Sequence, residues 1–167
     1  MNIHIDVDGV LANFSGKVRS VHGANVPKDD SFWGPLAEVP GLFLELPAIP
    51  DARLLVSGIL ALVAAGHTAS YLTQAPPLVG CLVTAAADKS LWLSRNMPGS
   101  LEAVVVPFGV PKWEHLRPSK DCVLVDDYSF NVSGWRTAGG LGILHRSAAE
   151  SLEAIHALIA LRAARDG

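Results

Sequence analysis

Two pairs of carboxylates sit where carboxylates need a reason to be. Asp6-Val7-Asp8-Gly9 sets two acids two residues apart at the end of a β-branched run, with a glycine beside them that permits a tight turn. Asp126-Asp127 follows the unbroken apolar run Cys122-Val123-Leu124-Val125. On a solvated loop adjacent acids carry no message, and Asp6 with Asp8 taken alone also fits an Asx turn. At the edge of a low-dielectric core, two negative charges are unfavourable unless a cation compensates them. Paired acids provide the oxygen ligands that Mg²⁺ prefers, and a carboxylate can attack phosphorus to form an aspartyl-phosphate. Thr73, followed by Gln74, ends the strand-like stretch His67-Thr-Ala-Ser-Tyr-Leu-Thr73 and offers a hydroxyl and turn amides to an anion. Of the five lysines, Lys112 follows Pro111 in the loop after residues 101–107, whereas Lys120 lies just before the Cys122 run, at its opposite end.

The elements that must position these groups follow from periodicity. Residues 3–7, 67–73, 101–107, 122–125 and 141–144 read as strands, and 10–24, 51–65 and 77–96 as helices. The last helix, about 147–165, opens on Ser147-x-x-Glu150, a capping-box pattern. Between Val26 and Pro50 the chain is irregular, with five prolines and the aromatics Phe32, Trp33 and Phe43, which reads as a small insert packed on the body. Alternating strands and helices predict an α/β domain with a mainly parallel central sheet flanked by helices. In such a sheet the ligand crevice lies at the carboxyl ends of the strands. Asp6, Asp8, Thr73, Asp126 and Asp127 all follow strands, so three distant stretches are expected to converge there.

Composition narrows the class. Half of the 167 residues are hydrophobic and 17% are charged, which excludes a disordered chain. A net charge of −3 leaves no basic excess to hold a nucleic-acid polymer. Cys81 and Cys122 are isolated, so neither a disulfide framework nor a zinc site is expected. The longest apolar stretch, Leu54 to Ala65, is broken by Ser57 and Gly58 and is too short for a bilayer. The start, Met1 to Asp6, lacks the features of a signal peptide, and a soluble cytoplasmic chain without a membrane partner is the expectation. The six histidines show no ligand spacing, and Gly139-Gly140-x-Gly142 lacks the strand-then-helix setting of a dinucleotide fingerprint.

The order acid-x-acid, Thr, Lys, acid-acid resembles the haloacid dehalogenase (HAD) superfamily of phosphotransfer enzymes, and more closely its 5'(3')-deoxyribonucleotidases. Asp6-Val-Asp-Gly-Val-Leu-Ala-Asn-Phe14 is similar to their first motif and Phe32-Trp33 to an aromatic pair in their small cap. Residues 41–52 are similar to the segment leaving the cap, Tyr71-Leu-Thr-Gln-Ala-Pro76 to the second motif, Lys89-x-x-Trp92 to a later helix signature and Val123-Leu-Val-Asp-Asp127 to the fourth motif. The match spans roughly residues 3–145. Gln74 stands where the family usually has serine, the cap region is shorter, and the Lys112–Asp126 spacing is longer.

The resemblance implies a Rossmann-like core with a small cap inserted after the first strand, at about 14–45. It implies that Asp6 is nucleophile and Mg²⁺ ligand. Asp8 would give its backbone carbonyl to the metal, protonate the leaving oxygen and then activate water. Asp127 would complete the metal shell, with Asp126 supporting it or Lys112. Thr73 and Lys112, with Gln74 beside them, would bind the phosphoryl oxygens, and Phe14, Phe32 and Trp33 would stack on a base beside the Gly34 backbone. The implied activity is Mg²⁺-dependent hydrolysis of (deoxy)nucleoside monophosphates by a monomer or homodimer. From the residues alone the aromatics equally fit the core of a small insert. Two other readings stay open: a phosphatase for another small phosphoester such as a sugar phosphate, and a non-catalytic protein that binds a phosphorylated ligand.

Overall fold

The computed structural model describes residues 1–166. Five parallel strands form one sheet in the order β3-β2-β1-β4-β5: β1 (Asn2–Ile5), β2 (Thr68–Gln74), β3 (Glu102–Val106), β4 (Cys122–Asp126) and β5 (Leu141–Leu144). The helices between them are α1 (Phe14–His22), α2 (Trp33–Ala37), α3 (Ala52–Ala64), α4 (Ala85–Asn96), α5 (Lys112–Leu116), α6 (Ser129–Thr137) and α7 (Ala148–Asp166). The expected α/β class with a parallel sheet is what forms.

Alternation along the strands explains why both faces are covered. Ile3 and Ile5 of β1, Tyr71 of β2 and Val123 and Val125 of β4 join one apolar cluster with Leu55, Ile59 and Ile155 from α3 and α7. The intervening positions face the other way, where Leu72, Leu124 and Val106 pack with Trp135 of α6. Successive strand side chains point to opposite faces, so a run such as Cys-Val-Leu-Val must be apolar throughout when both faces are buried. Close approach also needs small residues. A Cβ on Gly58 would lie 2.6 Å from Leu152 where α3 meets α7, and one on Gly140 would lie 2.3 Å from the Trp135 indole nitrogen.

The chain order produces the crevice. From the central β1 the chain runs outward through β2 and β3, then returns to β1's other side for β4 and β5. The strand order therefore reverses beside β1, and its carboxyl end faces the gap. Ile5 is in register with Tyr71 on one side and Val125 on the other, so Asp6 follows it level with the end of β4.

Several boundaries differ from the sequence reading. β1 stops at Ile5 because the Val7 carbonyl turns back to accept the amides of Leu11 and Ala12, each at 2.9 Å. The expected helix 77–96 splits into a short 3-10 helix, Gly80–Thr84, and α4. Gly80, the first residue of that 3-10 helix, has a positive φ of 50° and lies so near Ala37 that a Cβ would be 2.6 Å from its carbonyl oxygen, so the element starts at 80 rather than 77. The expected helix 10–24 forms as the shorter α1, and the region read as irregular, 26–50, carries a 3-10 turn at Asp30–Phe32 and α2. Its two connections run side by side, with the Asn13 amide donating to the Pro47 carbonyl and the Ile49 amide to the Leu11 carbonyl, both at 2.8 Å. Among the described residues no helix is long and apolar enough to cross a membrane.

Candidate active site

The end of β1 and the end of β4 bring the two acidic pairs together. Carboxylate oxygens of Asp6, Asp126 and Asp127 all lie within 4.8 Å of one another. Gly9 makes room for this: its φ is +88°, and a Cβ there would sit 2.0 Å from Asp127 Oδ2. The glycine is thus required twice, for a left-handed turn and for the space that a carboxylate from another strand occupies.

Lys112, the first residue of α5, reaches into the cluster. Its ammonium is 1% exposed and lies 2.7 Å from Asp6 Oδ1 and 2.7 Å from Asp126 Oδ2. Asp126 is fully buried and has no free oxygen, since Asn131 donates to Oδ2 at 2.9 Å and the Tyr128 amide to Oδ1 at 2.8 Å. Its place is therefore to hold Lys112 and the loop after β4. Asp127, at the rim, keeps its carboxylate available.

The electrostatics show excess negative charge. Burial first, and then Asp126 nearby, hold the Asp6 carboxyl well above its ordinary pKa, against the opposing pull of Lys112. Burial of its carboxylate, with Asp126 again second, pushes Asp127 up to about 6. Burial alone would lower the Lys112 pKa, but Asp6 and Asp126 outweigh it and the net shift is upward. Three carboxylates beside one ammonium leave negative charge unbalanced, and the hard oxygens of Asp6 and Asp127 fit a small divalent cation such as Mg²⁺.

Thr73 is fully buried at the end of β2, and Gln74 beside it donates to the Val110 carbonyl at 3.0 Å. A residue to which the sequence reading gave no role at the site, Lys89 on α4, links this strand end to Asp8. Its ammonium, 2% exposed, donates to Asp8 Oδ2, to Thr73 Oγ1 at 2.9 Å and to the Gln74 carbonyl at 2.7 Å, and lies 4.5 Å from the centre of the Phe43 ring. The sequence carried a signal for it. Lys89 lies on the same helical stripe as Ala85, Trp92 and Leu93, and a charge on an apolar face requires a buried partner.

Above these groups opens a cavity of about 770 Å³. Asp6, Asp8, Lys112 and Asp127 line its floor, and Phe14, Phe32 and Trp33 form one wall. Phe108 from the loop after β3, which touches Trp33, and Tyr128 from the loop after β4 also line it, as do Gln74 and Asn131. Sequence reasoning missed Phe108 and Tyr128, although both are aromatics in loops that leave the carboxyl ends of strands. Gly34 is exposed and is not among the lining residues. The aromatics also pack on each other. Phe14 stacks on Phe43 at 5.6 Å and on Trp33 at 6.1 Å, while Trp33 meets Phe108 edge-on at 6.3 Å. A depression of about 810 Å³ beside Trp113 and Arg117 contains none of the carboxylates.

No protein-family model matches the chain, and no curated protein matches it in sequence. Solved structures do match. A D,D-heptose 1,7-bisphosphate phosphatase from Burkholderia thailandensis superposes with a TM-score of 0.51 at 17% identity, over 83% of this chain and 74% of that one. A hydrolase from Streptococcus pneumoniae TIGR4 superposes with a TM-score of 0.52 at 10% identity, over 93% of this chain and 97% of that one. The fold is shared with these hydrolases.

Proposed function

We propose that this chain is a phosphomonoesterase of the HAD superfamily, resembling its 5'(3')-deoxyribonucleotidases, that hydrolyses (deoxy)nucleoside monophosphates through an aspartyl-phosphate on Asp6. The observation that carries this reading is the convergence of Asp6, Asp126 and Asp127 within 4.8 Å beside the Lys112 ammonium, with Asp6, Asp127 and Lys112 lining an aromatic-walled cavity. Likeness of fold to a sugar-bisphosphate phosphatase supports phosphoester chemistry.

In this reading, Asp6 attacks phosphorus and Asp8 gives a proton to the departing oxygen, then takes one from the water that cleaves the acyl-phosphate. Lys112 and the Thr73 hydroxyl offset charge on the phosphoryl oxygens, which is where most catalysis of phosphoryl transfer arises. Asp6, Asp127 and the Asp8 backbone carbonyl would hold Mg²⁺, which would supply charge neutralisation at the phosphoryl group when bound. Asp126 anchors Lys112. The segment 14–45 acts as a small cap, with Phe14, Phe32 and Trp33 facing the base. The substrate is a small metabolite in the cytoplasm, and neither a nucleic-acid polymer nor a membrane is a partner.

A second reading keeps the chemistry and takes a sugar phosphate. The polar groups Ser15, Lys28 and Asp29, which line the cavity beside the aromatics, favour it, as does the named activity of the Burkholderia protein. Phosphate release with Mg²⁺ from nucleoside monophosphates, deoxynucleoside monophosphates and sugar phosphates separates the two. The first reading expects the highest kcat/KM for a nucleotide, and Asp6→Asn to abolish release while the protein stays folded. A best sugar phosphate that outruns every nucleotide refutes it.

A further inference from the structure

Lys89 is spent entirely inside the protein. An ammonium has three N–H donors, and its partners are Asp8 Oδ2, Thr73 Oγ1 and the Gln74 carbonyl. It therefore has no donor left for a phosphoryl oxygen. Its effect on its partners is specific. Thr73 Oγ1 accepts from Lys89, so the hydroxyl proton is free to be donated elsewhere. Asp8 Oδ2 accepts from Lys89, which leaves Oδ1 as the oxygen that can meet a departing group, with no donor competing for it. Among the described residues Asp8 Oδ1 is the one buried side-chain polar atom without a hydrogen-bond partner. A buried carboxylate oxygen left unpaired is unfavourable unless a proton or a ligand atom meets it during function.

We propose that Lys89 is the positioning residue for leaving-group protonation: it fixes Asp8 with Oδ1 as the proton-carrying atom and turns the Thr73 hydroxyl proton toward the phosphoryl group. This rests on the phosphomonoesterase reading and adds the assignment of which groups are preset and by what. In the first half-reaction a bond forms between an Asp6 carboxylate oxygen and phosphorus while the phosphorus–ester oxygen bond breaks. The bonding pair stays on the ester oxygen, which takes the proton from Asp8 Oδ1. Asp8 is then an anion, and the Lys89 ammonium already faces it.

The test uses leaving groups. A p-nitrophenolate departs without needing a proton, whereas an alkoxide does not. With Mg²⁺ present, Lys89→Gln is expected to lower turnover of an alkyl phosphate that the wild type hydrolyses by about 100-fold or more, as loss of an organised general acid does. The burst of p-nitrophenolate from p-nitrophenyl phosphate is expected to fall by less than about 10-fold, because only the Thr73 contribution is lost there. In an Asp8→Asn background the same substitution is expected to cost the alkyl substrate little more, since both changes remove one function. Equal losses on the two substrates, or full additivity with Asp8→Asn, overturn the proposal. If Lys89→Gln does not fold by circular dichroism, Lys89→Arg is used: it keeps the cation but not the three-way geometry, and it must show the same split. A wild type that hydrolyses neither substrate refutes the phosphomonoesterase reading, and this proposal with it. A wild type active on both, with no split in the variants, refutes this proposal alone.

Discussion

Removing the Lys112 ammonium should turn the acidic cluster against the fold. Lys112 lies 2.7 Å from both Asp6 Oδ1 and Asp126 Oδ2, and all three residues are buried. At an effective dielectric of about 20, each attraction is about 6 kcal/mol, and desolvation of the ammonium takes back several kcal/mol. What Lys112→Met leaves behind is a pair of buried carboxylates facing Asp127 with no cation, a defect of about 3–5 kcal/mol. For a chain of this length that is a fall in Tm of about 6–20 °C. The assay is urea unfolding of wild type and variant at pH 7.5 in chelator, repeated at pH 5.5 and with excess Mg²⁺. The Asp6 pKa is already raised in the folded state, and it rises further without its cation, so the folded variant takes up protons as pH falls. The penalty should therefore shrink toward acid pH, and Mg²⁺ should restore part of it at pH 7.5. A penalty under about 1 kcal/mol, or one that grows on acidification, refutes the claim that Lys112 compensates these charges.

Gly9→Ala is expected to displace the Asp127 carboxylate, which occupies the space of the new methyl group, and to strain a backbone at φ +88°. Calorimetry should show Mg²⁺ affinity reduced by about 10-fold or more together with a stability loss of about 1–3 kcal/mol; unchanged Mg²⁺ binding would show that Asp127 is not held against Gly9. His4, whose ring packs on Trp135 and whose Nδ1 lies 2.9 Å from Ser70 Oγ, has its pKa lowered by burial to about 4. The unfolded chain takes up this proton below about pH 6.5 and the folded chain only near 4, so the wild type should lose up to about 3 kcal/mol more than His4→Gln between pH 7 and 4, with parallel denaturation curves contradicting the assignment.

The fold was legible because its information is local and repetitive. The apolar run Cys122–Val125 ending in two acids, the alternation around Ile3 and Ile5, and glycine after the α3 pattern each name an element without knowledge of its neighbours. The rule that ligands gather at the carboxyl ends of parallel strands then brought Asp6, Thr73 and Asp126 to one rim before any coordinates. Helix and strand limits were less legible. The element expected from 77 starts only at Gly80, whose backbone lies against Ala37, a contact from a segment more than 40 positions away that no local pattern reports.

The order of residues is enough to name the charges that need compensation and the strands that carry them. Which partner compensates which charge is a tertiary result. Lys89 and Lys112 are alike as residue types, yet one is held by Asp8, Thr73 and the β2 end and the other by Asp6 and Asp126. Likewise Phe108 and Tyr128 enter the cavity wall only because the loops after β3 and β4 fold over the same gap as the insert. The physical reason is range: helical hydrogen bonding, turn geometry and burial periodicity act over a few residues and are written in order along the chain. Ion pairing between buried groups depends on distances of 2.7 Å between residues more than 100 positions apart, and only the packed sheet sets those.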